Sequence, residues 1–289
     1  MTRREALGAA ALGFAARLAG AKSHLTKARV SAITDEMGRT QSDAVDFAKK
    51  HGLQMVELRT VPETKKEFAL LTPPELKGFA TELEAAKIRV SMLKTSLLKF
   101  AWTEDTKRFG RRMDDLGNAI TAAQILGTDR IRVFTGARPL SGQSPAGLPA
   151  VARTLDEMAA AADRARMRLV IENEPTQNVG TSAELKALLD LLPSKAIGAD
   201  WDLWNAMSLG ENAWPDGYKA LPKERILNIQ VKAESLGAPE RIRWKSILQT
   251  LDHDGYAGTL SLATEAAGNA FIEKADDAVG ELLHLVGLL

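Results

Sequence analysis

Arg168-Leu169-Val170-Ile171-Glu172-Asn173-Glu174 and, further on, Ala196-Ile197-Gly198-Ala199-Asp200-Trp201-Asp202 share one construction, a short apolar run that ends in acids. Neither run alternates polar with apolar, as a half-exposed strand would. A continuous apolar run suits a strand of a parallel sheet covered on both faces. The pattern recurs, and strands are expected at residues 29–33, 55–58, 88–92, 130–134, 168–171, 196–199, 226–231 and 258–262. Between them lie helical patterns. Residues 42–51 carry Ala44, Val45, Phe47 and Ala48 at helical spacing, with Ser42 as a cap and Gly52 as a stop. Thr72-Pro73-Pro74-Glu75 opens a second helix with proline in its first turn. Others are expected over 104–126, 148–166, 182–192, 244–253 and 270–286, whereas the connection 205–223 is only weakly helical. Eight strand-helix steps without a Gly-rich dinucleotide fingerprint indicate a closed α/β barrel, the (β/α)8 TIM barrel, rather than an open doubly wound sheet.

The chain has 289 residues, 45% of them hydrophobic, enough for one such barrel of roughly 250 residues and its packed core. Lysine plus arginine number 38 and aspartate plus glutamate 37, a balance that supplies no electrostatic footprint for nucleic acid. With no cysteine, disulfides, thiolate metal sites and a cysteine nucleophile are excluded. Residues 1–21 read differently from the rest. Arg3-Arg4 precedes an Ala/Gly/Leu-rich run that ends in Ala19-Gly20-Ala21, which looks like a twin-arginine export signal, too short and too weakly apolar to span a membrane. The expectation is a signal over 1–21 and a barrel over 22–289, with a periplasmic or exported location, or a cytoplasmic one if the stretch is an Ala-rich helix.

The C-terminal ends of barrel strands face the active site. Four late strands run into groups that are awkward to bury: Glu172-Asn173-Glu174, Asp200-Trp201-Asp202, Gln230-Val231-Lys232 and Thr264-Glu265. An ionised carboxylate there costs several kcal/mol unless a cation compensates it. The cation is either a bound divalent metal or a partner such as Lys232, Arg132 or Arg59. Acids on successive strands favour the metal, and oxygen ligands suit Mn or Mg. Glu57 and Arg59 are read as a structural pair or a substrate contact. Arg132 meets an anionic substrate or balances the carboxylates. Trp201, Trp204 and Trp214 stack on a sugar ring or pack a loop against the rim. None of the four histidines falls at a strand end, so neither a histidine base nor a serine triad is expected.

Taken in order, Ile33-Thr34-Asp35-Glu36, Val56-Glu57-Leu58-Arg59, Ile171-Glu172-Asn173, Trp201-Asp202-Leu203-Trp204-Asn205, Ile229-Gln230-Val231-Lys232 and Gly255-Tyr256-Ala257-Gly258 resemble the xylose-isomerase-like barrel superfamily of sugar phosphate isomerases and epimerases. The resemblance covers residues 29–289. It implies a mononuclear metal site whose ligands fall on Glu172, Asp202 and Gln230, with the fourth position falling on Ala263. Glu265, two residues on and about 6–7 Å further along the strand, is the remaining candidate for that ligand. It further implies a proton-moving pair of Glu172 and Glu265, with Glu174 as a substitute, and a lysine, Lys232, beside substrate or carboxylate. Trp204, Asn205, Arg132 and Glu174 are the expected substrate contacts. The implied activity is metal-dependent isomerisation or epimerisation of a sugar or hydroxy acid by proton abstraction beside a polarised oxygen. A lyase or dehydratase on the same scaffold, or a degenerate barrel that binds carbohydrate without turnover, are the alternatives. A small-molecule sugar or hydroxy acid is the expected partner; nucleic acid and membrane are not. The superfamily's abasic-site endonucleases need strand-end histidines that this chain lacks.

Overall fold

The computed structural model describes residues 23–139, 146–264 and 270–289; residues 1–21, expected to be an export signal, and Glu265 lie outside them. Eight strands form one parallel sheet: β1 Val30–Ala32, β2 Met55–Leu58, β3 Arg89–Lys94, β4 Arg130–Val133, β5 Arg168–Glu172, β6 Ile197–Asp202, β7 Ile226–Lys232 and β8 Thr259–Ala263. From β2 to β8 each pairs with the next in sequence, and β1 pairs with β8 through Val30 opposite Leu260 and Ala32 opposite Leu262. A bridge between Ile33 and Glu57 joins the β1 and β2 ends and closes the (β/α)8 barrel.

The local signals explain these elements. Helix Gln41–His51 starts at a reciprocal capping box between Thr40 and Asp43 and stops at Gly52, whose φ of 67° is left-handed. Thr72 with Glu75, and Thr181 with Glu184, cap helices Pro73–Ala85 and Ser182–Asp190 in the same way. The cap of the first of these helices is thus Thr40, two residues before the serine expected to provide it, because only Thr40 has both extended backbone and an acid three residues later. A single helix over 104–126 does not form. The chain breaks it at Arg111 into Thr106–Gly110 and Arg112–Leu126, with Asp105 capping the first piece.

Strand β2 has the expected bounds, while β3, β5, β6, β7 and β8 run further toward their C-terminal ends than their apolar runs. Pairing carries them on: Glu172 lies opposite Asp200, Asp202 opposite Gln230 and Lys232 opposite Ala263. Polar residues that read as loop are therefore strand residues. Their outward neighbours Leu169, Ile171, Ala199, Trp201, Ile229 and Val231 pack under the helices with no exposure. Alternation then turns Glu172, Asp200, Asp202, Gln230 and Lys232 into the barrel.

Gly198 in β6 permits a close approach of backbone. A Cβ there would sit 2.6 Å from the Arg225 carbonyl oxygen and 2.8 Å from the Leu227 side chain. Arg225 is itself anchored, donating to the carbonyls of Leu189, Leu192, Ser194 and Ile197. Gly198→Ala is expected to lose about 1–3 kcal/mol of stability through overpacking, read as a lower urea midpoint at unchanged slope. A variant as stable as the parent would show that the strand shifts freely.

Candidate active site at the barrel mouth

Three buried cations organise the barrel interior. Lys94, at the end of β3, has no exposure, and its Nζ lies 3.2 Å from Glu57 Oε2, 3.2 Å from Asp200 Oδ2 and 3.9 Å from Glu172 Oε2. Asp200 also accepts from Asn228 Nδ2 at 2.6 Å and Gln230 Nε2 at 3.0 Å. Arg132 on β4 donates from Nη1 to Glu172 Oε2 at 2.8 Å, while its Nε and Nη2 bond the Thr95 carbonyl and its guanidinium lies 4.7 Å from the Phe134 ring centre. Lys232, at the end of β7, lies 3.2 Å from Asp202 Oδ2. Glu172, Asp202, Gln230, Lys232 and Ala263 are all buried.

A second set of bonds holds Asp202 in place. Its Oδ1 accepts from Asn205 N at 2.9 Å, capping the short helix Leu203–Ser208. Asn173 reads the Asp202 backbone from both sides, accepting from its N–H and donating to its carbonyl. Asn205 donates from Nδ2 to the Asn173 carbonyl at 2.9 Å. Asn205 therefore clamps the β5 and β6 exits together. Trp204 faces Arg241, whose guanidinium lies 4.6 Å from its ring centre. Glu174 sits toward the rim, 3.8 Å from Lys99 and accepting from the Thr176 hydroxyl. Trp201 donates to Ser182 Oγ, and Trp201 and Trp214 both stack on Tyr218, so these two tryptophans pack the sixth connection onto the barrel.

The expected Glu57–Arg59 pair does not form. Glu57 points into the barrel to Lys94, and Arg59, beyond the strand end, reaches Asp35 at 2.7 Å and Glu36 at 2.8 Å. Two strand positions separate them by about 6–7 Å in depth, which puts one in the interior and the other at the rim. Glu36 in turn accepts from Thr264 N at 2.6 Å, tying the β1 and β8 exits together. Sequence reasoning passed over Lys94 and gave Asp200 no role. The available signal was a lone lysine directly after the apolar Val90–Leu93 run and the shared parity of Asp200 with Asp202.

The charges tune one another. Burial raises the Glu172 carboxyl, but Arg132 and Lys94 outweigh it and hold the group at about 2. Burial pushes Asp202 up to about 7 against the pull of Lys232 and the Asn205 N–H. Burial also raises Glu57, despite Lys94. Lys94 itself is raised: desolvation opposes its charge, and Asp200, Glu57 and Glu172 together prevail. Thr34 Oγ1 is buried without a hydrogen bond among the described residues, whereas Glu57 Oε2 and Asp202 Oδ2 have the Lys94 and Lys232 ammonium groups as their partners. A cavity of about 400 Å³ between Leu70, Phe100 and Arg108 lies outside this centre. There Arg108 and Arg112 stack on Phe100 and Phe109, and Arg111 pairs with Asp115.

The expected ligands Glu172, Asp202 and Gln230 each have a partner of their own among the described residues. One carboxylate holds Arg132, the other holds Lys232, and the Gln230 amide is oriented by Asp200. Among the described residues no three His, Cys, Asp or Glu side chains are grouped to hold a metal.

The xylose isomerase-like TIM barrel family profile matches residues 45–285. The chain belongs to this family. No protein of curated function matches it by sequence. Solved structures share the family fold at low identity. D-psicose 3-epimerase in the presence of D-fructose superposes with a TM-score of 0.70 at 15% identity, over 89% of this chain and 97% of its own. A xylose isomerase-like TIM barrel protein from Mycobacterium smegmatis, in complex with magnesium, gives 0.68 at 14% identity, over 92% and 100%. A fusion of a xylose isomerase-like TIM barrel with 4-hydroxyphenylpyruvate dioxygenase gives 0.66 at 16% identity, over 89% of this chain and 42% of the fusion. This chain thus spans less than half of that fusion, and the likeness to all three is one of fold.

Two outcomes follow for this family member. Lys94→Met leaves Glu57 and Asp200 without their cation and is expected to cost about 3–5 kcal/mol, with Glu57→Gln restoring part of it in the double variant; additive losses in urea unfolding would dissociate Lys94 from Glu57. Because Asp202 is raised from 3.8 to about 7, the folded state binds more protons, so its contribution is present at low pH and lost as pH rises between about 4 and 7. The stability of the parent relative to Asp202→Asn should fall across that window. A pH-independent difference would mean the carboxyl is not raised.

Proposed function

We propose that the barrel mouth binds a sugar or hydroxy acid and moves a proton at a carbon beside an oxygen, as an isomerase or epimerase. What supports this reading is the polar lining of the strand ends, where the Glu172 carboxylate faces Arg132, the Asp202 carboxylate faces Lys232, and Thr34 Oγ1 has no hydrogen bond among the described residues. A polyhydroxylated ligand supplies the donors and acceptors that such atoms need. In the proposed reaction a carboxylate takes the proton from carbon, the electron pair flows onto the neighbouring carbonyl oxygen, and Lys232 or Arg132 stabilises the charge that develops there. Return of the proton to the other face of the same carbon completes epimerisation; for isomerisation the proton goes to the adjacent carbon while the former carbonyl oxygen takes up a proton and the neighbouring hydroxyl gives one up to become the new carbonyl. Glu172 is the first proton carrier in this proposal and Glu265, in the stretch after β8, the second. Export through residues 1–21 would go with a free or oxidised sugar rather than a phosphorylated one.

Metal-dependent turnover with Mn or Mg is a second reading, favoured by the magnesium complex of a structural neighbour. A binder without turnover is the third, favoured by Ala263 at the position of the missing glutamate.

The test is proton exchange. Incubated in heavy water with a panel of ketoses, aldoses and hydroxy acids, the chain should wash deuterium into one C–H position of its substrate, followed by NMR. Glu172→Gln should slow this on the order of 10²–10⁴-fold while leaving ligand-induced thermal stabilisation in place. Stabilisation of the parent chain by a sugar with no exchange would convert the reading to a carbohydrate-binding barrel. A new vinylic signal would make it a lyase or dehydratase.

A further inference from the structure

The side chains that a family metal site would use are already neutralised by this chain's own cations. Glu172 Oε2 holds Arg132 Nη1 at 2.8 Å and has Lys94 Nζ at 3.9 Å. An ion coordinated by that oxygen at about 2.0–2.6 Å would share it with two positive groups. Like charges roughly 4 Å apart repel by about 1–4 kcal/mol per unit charge pair in partly screened surroundings, and a divalent ion doubles that. Arg132 has no easy retreat, since the Thr95 carbonyl and the Phe134 ring hold the rest of its guanidinium. Asp202 has both oxygens engaged, one by Asn205 N and one by Lys232. Opposite Lys232 in register stands Ala263, which offers no ligand.

Lys94 deepens the same substitution. It stands at the centre of Glu57, Asp200 and Glu172 with no exposure, so its charge is shared by three acids from three strands. An ammonium is buried in this way only where the acids around it need a cation.

We propose that Lys94, Arg132 and Lys232 form a fixed-cation centre in the place where family relatives hold a divalent ion, so that this chain keeps no resident metal at its mouth. The charge that faces a ligand oxygen is then carried by Arg132 on β4 and Lys232 on β7, while the fully enclosed Lys94 on β3 balances Glu57 and Asp200. Such a centre keeps its charge in the presence of chelators. The inference rests on the mouth being the functional site but not on the reaction assigned to it, and it is read without substrate.

The experiment measures metal in the full-length chain. Protein made in medium supplemented with manganese, magnesium and zinc is desalted and its metal content determined by mass spectrometry, and melting is recorded with chelator and with millimolar MnCl2, MgCl2 or ZnCl2. The expected result is well under one ion per chain and a melting temperature unmoved by chelator or by any of the three salts. One ion per chain that disappears in Glu172→Gln, or a melting temperature raised by a salt in the parent and not in Glu172→Gln, overturns the proposal. As a gain-of-site control, the combined substitution Arg132→Gln, Lys232→Gln, Ala263→Glu should acquire salt-dependent stabilisation if it folds; the measurements on the parent chain decide the matter in either case. Failure of the proton-exchange test leaves this result standing, and the converse holds too.

Discussion

An ammonium group with no exposure to water, Lys94, sits inside the closed sheet, and the arrangement of the barrel interior follows from satisfying it. Removing such a charge from water costs several kcal/mol, recovered only by close and well-placed acids. Its acids come from β2, β5 and β6, so Glu57 meets it from the adjacent strand while the pairs with Asp200 and Glu172 cross the lumen. Those two contacts do not exist until the sheet has curled into the barrel. The same set then limits its neighbours: Asp200 directs the amides of Asn228 and Gln230, and Glu172 is left to share its oxygen with Arg132.

Around this centre the chain gives up the uniform apolar filling usual in barrels of this kind. A fully paired network specifies one geometry, but each charge in it is costly to bury, and Glu57, Glu172, Asp200 and Asp202 are all buried. Native structures tolerate that cost mainly at functional sites. The opposed displacements of Glu172 and Asp202, one carboxyl held at about 2 and the other at about 7, express the same asymmetry. Glu172 has two cations nearby, whereas Asp202 has one cation and a single backbone donor. Two acids on adjacent strands thereby differ in protonation near neutrality without differing in burial.

Much of the architecture was legible in the chain. Continuous apolar runs such as Leu169–Ile171 require cover on both faces, and Thr72-Pro73-Pro74-Glu75 starts a helix where the periodicity does, whereas the first helix is capped by Thr40 and not by Ser42. The strand ends were less legible. Polarity at Glu172, Asp202 and Lys232 reads as loop, yet their backbones stay in the ladder because partners lie opposite. Glu57 shows the same limit: its nearest cation in sequence is Arg59, while its partner in space is Lys94.

The sequence by itself determined the number and order of the strands and the helical character of most connections, since hydrophobic period, caps and turn residues act over a few residues. It also determined that acids would gather at the mouth, because strand-end acids on consecutive parallel strands have nowhere else to go. Which cation meets which acid was decided only by the tertiary structure. Lys94 and Asp200 stand 106 residues apart and meet at 3.2 Å. Such a pairing depends on barrel closure and on the depth of each side chain in the lumen, and those distances are set by the register of all eight strands together.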